Sequence, residues 1–246
     1  LILGFDPSLF TRNQLNTYFS NSLILKPIVN NLIDKIYSKR IPKTKPFFSL
    51  KDKIVGKSFK SKINKISNIL KINKADYLFV SAPENVAWAL NIRGSDNPNS
   101  PIPNCRLIIE KDKKIFLITK KENATKILKN IKINKFQIIN PENFLDLIKK
   151  LKGDKFIIDP LSCSIFNECL IKSKFRIINK DDPCYGLKSI KNSTEIKHMI
   201  NAHIEDGIAL TKFIFWIKNI NKKKITEIDA KNKLAKFRKL NKNYLF

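Results

Sequence analysis

Short apolar segments alternate with amphipathic helical patterns through the middle of this chain, and this alternation constrains its fold more than any other feature. Six apolar runs are predicted to be strands, at residues 77–81, 107–109, 115–118, 136–139, 156–158 and 175–178. Helical patterns are found over 58–70, 85–90, 122–130, 141–151 and 162–171. The charged segment 110–113 joins two of the strands and predicts a hairpin. The order predicts an α/β domain with a mixed sheet and helices on both faces.

Before this domain, the first residues predict a smaller group of elements. Residues 1–3 are predicted to be a strand, and Thr11 is placed to cap a helix that ends at Phe19. Residues 40–46 contain two prolines and no periodicity, so they are predicted to be a linker. The first domain boundary is therefore expected at or just after this segment.

The C-terminal part predicts two helices after an irregular stretch at 183–189. Asn192 with Glu195 three residues later predicts a capping box and a helix to about Lys218. Much of this helix is expected to be buried, because Ile196, Ile200, Ile204 and Ile208 form one apolar row. A second helix is predicted from Thr226 to Leu240.

Composition excludes several classes of protein. The net charge of +27 comes almost entirely from Lys, since only six of the 48 basic residues are Arg. Lys is spread evenly and accompanies Asn and Ile, which indicates an AT-rich genome and no specific nucleic-acid partner. No apolar run reaches the roughly 18–20 residues of a membrane span. The four cysteines form no C-x-x-C pair, so we interpret them as reduced thiols that pack as small hydrophobes.

Two places carry residues with possible chemistry. His203 and Asp206 are neighbours on the long helix, and we interpret His203 as a buried, hydrogen-bonded residue with a structural role, while His198 lies on the more polar side. Arg93 and Gly94 follow an apolar helix and begin a polar turn, in which Arg93 is placed to pair with Asp96. The residues themselves contain no complete catalytic set and no metal-ligand motif.

Two motifs resemble those of the long, three-domain Xaa-Pro aminopeptidases, which belong to the creatinase/prolidase-like metallopeptidases. Val86 to Asp96 (VAWALNIRGSD) resembles the signature of their middle domain. The segments 188–195 and 202–210 (AHIEDGIAL) resemble the opening of their catalytic domain. Shorter matches at 4–7, 31–34, 56–62 and 226–238 occur in the family's order. In place of the family's Asn-Pro-Val-like stretch after the Arg-Gly-Ser-Asp turn, this chain has 99–103 (NSPIP).

The resemblance implies an organisation in three parts. Residues 1–50 would be the end of a first creatinase-like domain with its linker. Residues 51–185 would be the middle creatinase-like α/β domain, and residues 186–246 the start of a pita-bread catalytic domain. The five ligands of two divalent metal ions, commonly manganese, would lie beyond Phe246, so no catalytic or metal-binding residue is assigned within this chain.

The resemblance also implies a function. The whole protein would be a cytoplasmic, dimeric metalloaminopeptidase that removes the first residue from peptides with proline in second position, and this part alone would be inactive. Arg93 would face the substrate cleft or the interface. The alternatives are a non-catalytic pita-bread relative that binds proteins, a prolidase, and a basic nucleic-acid-binding protein. The elements before residue 58 argue against a prolidase, because prolidases generally lack them.

Overall fold

The computed structural model describes residues 1–19, 22–37, 46–97, 99–130, 135–220 and 225–244. The predicted linker at 40–46 lies outside the described residues except for Pro46. Two compact units are formed, one from Leu1–Asp52 and Lys57–Ile190, the other from Lys53–Gly56 and Lys191–Phe246. The division into three domains at residues 50 and 185 stays a prediction.

The described strands and helices follow one another in an alternating order. The strands are β1 (Ile2–Phe5), β2 (Ile24–Pro27), β3 (Phe48–Ser49), β4 (Tyr77–Val80), β5 (Ile92–Arg93), β6 (Arg106–Glu110), β7 (Ile115–Ile118), β8 (Phe136–Ile139), β9 (Lys155–Ile158) and β10 (Arg176–Asn179). The helices are α1 (Arg12–Tyr18), α2 (Ile33–Ile36), α3 (Asp52–Val55), α4 (Phe59–Ile72), α5 (Pro83–Leu90), α6 (Thr125–Asn130), α7 (Phe144–Lys150), α8 (Ile165–Lys172), α9 (Pro183–Ser189), α10 (Ser193–Lys218) and α11 (Glu227–Arg238). Short 3-10 turns at Lys121–Ala124 and Pro141–Asn143 precede α6 and α7.

The first unit is built around a six-stranded sheet with the order β10-β9-β4-β6-β7-β8. The strands β4, β9 and β10 are parallel, and so are β7 and β8, whereas β6 is antiparallel to both of its neighbours. The predicted mixed sheet and the hairpin between β6 and β7 are confirmed.

Both faces of this sheet are covered by helices, because successive side chains of a strand point to opposite sides. One face packs Leu78, Val80 and Leu107 against Ile66, Val86 and other residues of α4 and α5. The opposite face packs alternate residues of the same strands against α7 and α8; they include Tyr77, Phe79, Ile108, Phe116, Phe144, Ile148 and Ile171. The predicted α/β layering is therefore confirmed.

The described residues of the first 27, which are 1–19 and 22–27, pack on the sheet domain within the same unit. Thr11 caps α1 in a capping box, as predicted, and the parallel strands β1 and β2 flank this helix. Phe5 and Leu15 pack on Ile165 at the start of α8. The Arg12 side chain binds Glu168 at 2.9 Å, but an exposed ion pair of this kind contributes less than about 1 kcal/mol.

The prediction of an irregular stretch at 183–189 is wrong, since these residues form α9. Asp182 caps the helix by accepting a hydrogen bond from the Cys184 N–H, and Pro183 occupies the first turn. Proline is favoured there because a backbone N–H in the first turn has no acceptor within the helix, so its absence in proline costs nothing. Gly186 lowers the helix propensity of this segment, so the sequence did not predict a helix there.

The second unit contains α10 and α11. The Asn192 capping box and the cap at Thr226 are confirmed. The expected burial of α10 is wrong: in this helix only Ala209 is buried, and the row of Ile196, Ile200, Ile204 and Ile208 is 48% to 58% exposed. An apolar row predicts a face that needs a packing partner, and the described residues of this unit leave that face open.

Candidate functional site

The candidate site is the turn that follows α5, where Arg93 begins the polar segment. The helix ends at Asn91, whose backbone adopts the left-handed conformation with φ of 54°. This reversal directs the chain into β5, which pairs antiparallel with β3 so that Arg93 lies opposite Phe48.

The Arg93 guanidinium binds main-chain carbonyls. Its Nη1 donates to the carbonyl of Ala87 at 3.2 Å and to that of Ile92 at 2.8 Å. The predicted pairing with Asp96 is wrong, because Asp96 Oδ2 accepts a hydrogen bond from the Asn104 N–H at 2.6 Å and no described ion pair includes Arg93. Burial lowers the pKa of Arg93.

Gly94 is required by a close approach of two chain segments. Its N–H donates to the Pro101 carbonyl at 3.1 Å, and a Cβ at this position would lie 2.6 Å from the Pro103 Cα. This close approach leaves no room for a side chain, so glycine is the residue that fits this position. The turn is therefore held by backbone contacts to 101–103 and by the Asp96 carboxylate.

Behind the turn lies a buried lysine that sequence reasoning missed. Lys62, 2% exposed, donates from Nζ to Asn91 Oδ1 at 2.6 Å and to the Trp88 carbonyl at 2.8 Å. Its ammonium also lies 4.4 Å from the centre of the Trp88 ring. A usable signal was present, since Lys62 stands three residues after Phe59 and four before Ile66, on the apolar side of α4.

A second buried polar group connects α5 to α9. Asn85 donates to Asp182 Oδ2 at 2.8 Å and accepts from Lys188 Nζ at 2.7 Å. Burial raises the pKa of Asp182. These contacts hold the two helices together, and they place no nucleophile beside a base.

His203 is a surface residue, so its predicted burial is wrong. Its Nδ1 lies 2.8 Å from the Met199 carbonyl of the preceding turn. Asp206 instead binds Arg238 of α11 through Nε at 2.6 Å, and this bond lowers the pKa of Asp206. His198 is also exposed, as expected.

Other sources of reactive groups are limited. All four cysteines are free; burial raises the pKa of Cys163 to about 12 and raises those of Cys105 and Cys184, while Cys169 is exposed. Three of them thus behave as the predicted small hydrophobes.

A cavity of about 850 Å³ near the end of α10 is lined by residues such as Phe215, Trp216 and Phe237, with no acid, His or Cys.

The described residues do not fit a metal centre. No three His, Cys, Asp or Glu side chains among them come close enough to hold an ion. No step of a reaction is therefore assigned to a metal through these residues.

None of the described helices combines the length and the hydropathy needed to span a bilayer.

A family model and individual related proteins both show similarity to the creatinase/prolidase group of proteins. Residues 39–195 match the family described as the creatinase/prolidase N-terminal domain. The chain is 31% identical to the Xaa-Pro aminopeptidase ApepP of Drosophila melanogaster over 99% of its own length and 41% of that protein. It is 32% identical to Xaa-Pro aminopeptidase 1 of Dictyostelium discoideum over 85% of its own length and 35% of that protein.

One solved structure is similar over nearly the whole chain. It is an X-prolyl aminopeptidase from Caenorhabditis elegans, described as a cytosolic enzyme with a di-nuclear active site, with a TM-score of 0.85 and 23% identity. It covers 99% of this chain, which covers 42% of that structure. An Xaa-Pro dipeptidase from Bacillus anthracis shares the fold over 74% of this chain, with a TM-score of 0.56. The chain thus spans about two fifths of the length of the curated relatives it matches.

Proposed function

The chain belongs to the creatinase/prolidase family, and from this premise we propose that it is the front part of a metal-dependent Xaa-Pro aminopeptidase. The whole protein removes the N-terminal residue from peptides with proline in second position. The observation that carries the proposal is the 31% identity to an Xaa-Pro aminopeptidase over 99% of this chain. The prolidase alternative has less support, because the similar dipeptidase fold covers 74% of the chain.

In this proposal the described residues have supporting roles. Two divalent metal ions, taken to be manganese, would be bound by residues outside this chain, and when bound they would supply Lewis-acid chemistry. The 246 residues alone have no peptidase activity. The enzyme is a cytoplasmic homodimer that needs no nucleic acid or membrane. In this proposal Arg93 borders the peptide cleft or the subunit interface.

The test uses the full-length protein with manganese and two tripeptides that differ only in having proline or alanine at position two. Release of the first residue from the proline peptide, its loss after chelation, and no release by the 246-residue chain are expected. Equal hydrolysis of both peptides, or hydrolysis that survives complete metal removal, would contradict the proposal.

A further inference from the structure

Three of the five arginines in the described part of the chain bind a carboxylate with one particular edge of the guanidinium. In three described ion pairs, Nε and Nη2 together face a carboxylate group. The pairs are Arg12 with Glu168, Arg176 with Asp154 and Arg238 with Asp206. This side-on arrangement gives two parallel charge-assisted hydrogen bonds and is geometrically selective.

Arg93 leaves that same edge open. Its hydrogen bonds to the Ala87 and Ile92 carbonyls are both made by Nη1. Within the described part of the chain, neither Nε nor Nη2 of Arg93 donates a hydrogen bond, and no carboxylate pairs with it. Arg12 and Arg176 are exposed to water, whereas Arg93 is half-buried. A partly desolvated cation without a counter-charge is costly, which favours a role in binding an anion.

The open edge is also held in place. Nη1 is tethered to two carbonyls, Asn91 is fixed by Lys62, and Gly94 is packed against Pro103. The nearest acid along the chain, Asp96, does not pair with Arg93, and its Oδ2 accepts a hydrogen bond from the Asn104 N–H. A positioned donor pair loses little conformational entropy when it binds a ligand.

We infer that Arg93 binds the C-terminal carboxylate of the peptide substrate through its Nε and Nη2. The inference rests on the proposed function, because a short peptide supplies one free α-carboxylate and an aminopeptidase leaves that end intact. It makes Arg93 a determinant of specificity for short peptides with a free C-terminus. Two parallel N–H···O bonds explain why arginine, and not lysine, stands at this position.

The experiment compares a Xaa-Pro-Ala tripeptide with its C-terminal amide in the full-length enzyme. The native enzyme should favour the free acid in kcat/KM by about tenfold, equivalent to about 1.4 kcal/mol. Arg93→Gln should raise KM for the acid much more than KM for the amide, so that the preference for the acid is lost, with kcat for the acid unchanged. Arg93→Lys should retain only part of the preference. Arg176→Gln removes the same charge at an exposed pair and should leave both substrates unaffected.

The outcomes separate the inference from the function on which it rests. If Arg93→Gln lowers turnover of the acid and the amide equally, the residue only supports the turn and the inference is wrong. The same conclusion follows if the native enzyme does not distinguish the two peptides. Hydrolysis of neither peptide by the native enzyme overturns the proposed function itself. If Arg93→Gln fails to fold, an unchanged acid preference in Arg93→Lys contradicts the inference.

Discussion

The ammonium nitrogen of Lys62 lies 2.6 Å from Oδ1 of Asn91, and both residues are buried, at 2% and 3% exposed. The contact joins the first turn of α4 to the residue that ends α5. Asn91 Nδ2 donates in turn to the Lys57 carbonyl at 2.9 Å, so one side chain fixes two segments. The exit of the chain toward Arg93 is thus set by a polar contact inside an apolar layer.

Lys62→Met should destabilise the first unit by about 2–4 kcal/mol. Methionine fills similar volume but leaves Asn91 Oδ1 and the Trp88 carbonyl without their buried donor, and each such loss costs about 1–3 kcal/mol. The chain has two tryptophans, so in a Trp216→Phe background Trp88 alone reports urea unfolding by fluorescence. Lys60→Met, at an exposed position of the same helix, is the control and should change stability by less than about 0.5 kcal/mol. Equal effects of the two substitutions would show that the buried contact adds no stability.

Gly94→Ala should destabilise the turn, whereas Gly186→Ala should not. The added Cβ at position 94 meets the Pro103 backbone at 2.6 Å, and such overpacking costs about 1–3 kcal/mol. At position 186, within α9, nothing lies within 4 Å of an added Cβ, and alanine favours a helix over glycine by about 1 kcal/mol. Thermal unfolding of both variants measures the contrast, and a neutral Gly94→Ala would show that the 101–103 segment moves aside easily.

Local signals in the sequence were sufficient for most of the elements. The apolar runs, the caps at Thr11, Asn192 and Thr226 and the charged hairpin turn are encoded by neighbouring residues, and the structure shows each of them. Sequence spacing did not predict which of two candidate partners an ionic side chain binds. Asp206 binds Arg238, 32 residues away, instead of the adjacent His203.

The same limit explains why the pairing of Arg93 with Asp96 was predicted wrongly. Arg93 and Asp96 are close in sequence, but the partners they choose depend on where the ends of α5 and the 101–104 segment meet in space. The buried Lys62 was missed for a related reason, because its acceptors are provided by α5 and not by its own helix. Long-range polar contacts of this kind require the tertiary structure.

Asp76→Asn should weaken the pH dependence of stability on the acid side. Burial raises the pKa of Asp76, but hydrogen bonds from Lys111 Nζ at 2.7 Å and from the N–H groups of Asp154 and Lys155 outweigh it and lower the pKa overall. A carboxylate with a lowered pKa stabilises the folded state above its unfolded pKa of about 3.9, and this contribution is lost as the pH falls through the folded value.

The expected result is a loss of about 1–3 kcal/mol at pH 7 for Asp76→Asn, with the difference from the native protein disappearing as the pH falls below about 4. Urea unfolding from pH 7 to pH 2 measures it. Lys111→Met should produce a smaller loss, because the two backbone donors remain. A difference that stays constant over the whole range would show that the charge of Asp76 is not responsible.

Ile204→Lys should be tolerated in the 246-residue chain and should destabilise the full-length protein. Ile204 is 58% exposed on α10, where a surface substitution changes stability by less than about 0.5 kcal/mol. In the proposed full-length enzyme we expect residues outside this chain to cover this face, and a lysine buried there without a partner would cost several kcal/mol. Urea midpoints of both proteins measure the difference, with Ile72→Lys, at a position 80% exposed, as the control. Equal tolerance of Ile204→Lys in the short and the full-length proteins would show that the apolar row of α10 faces solvent in both.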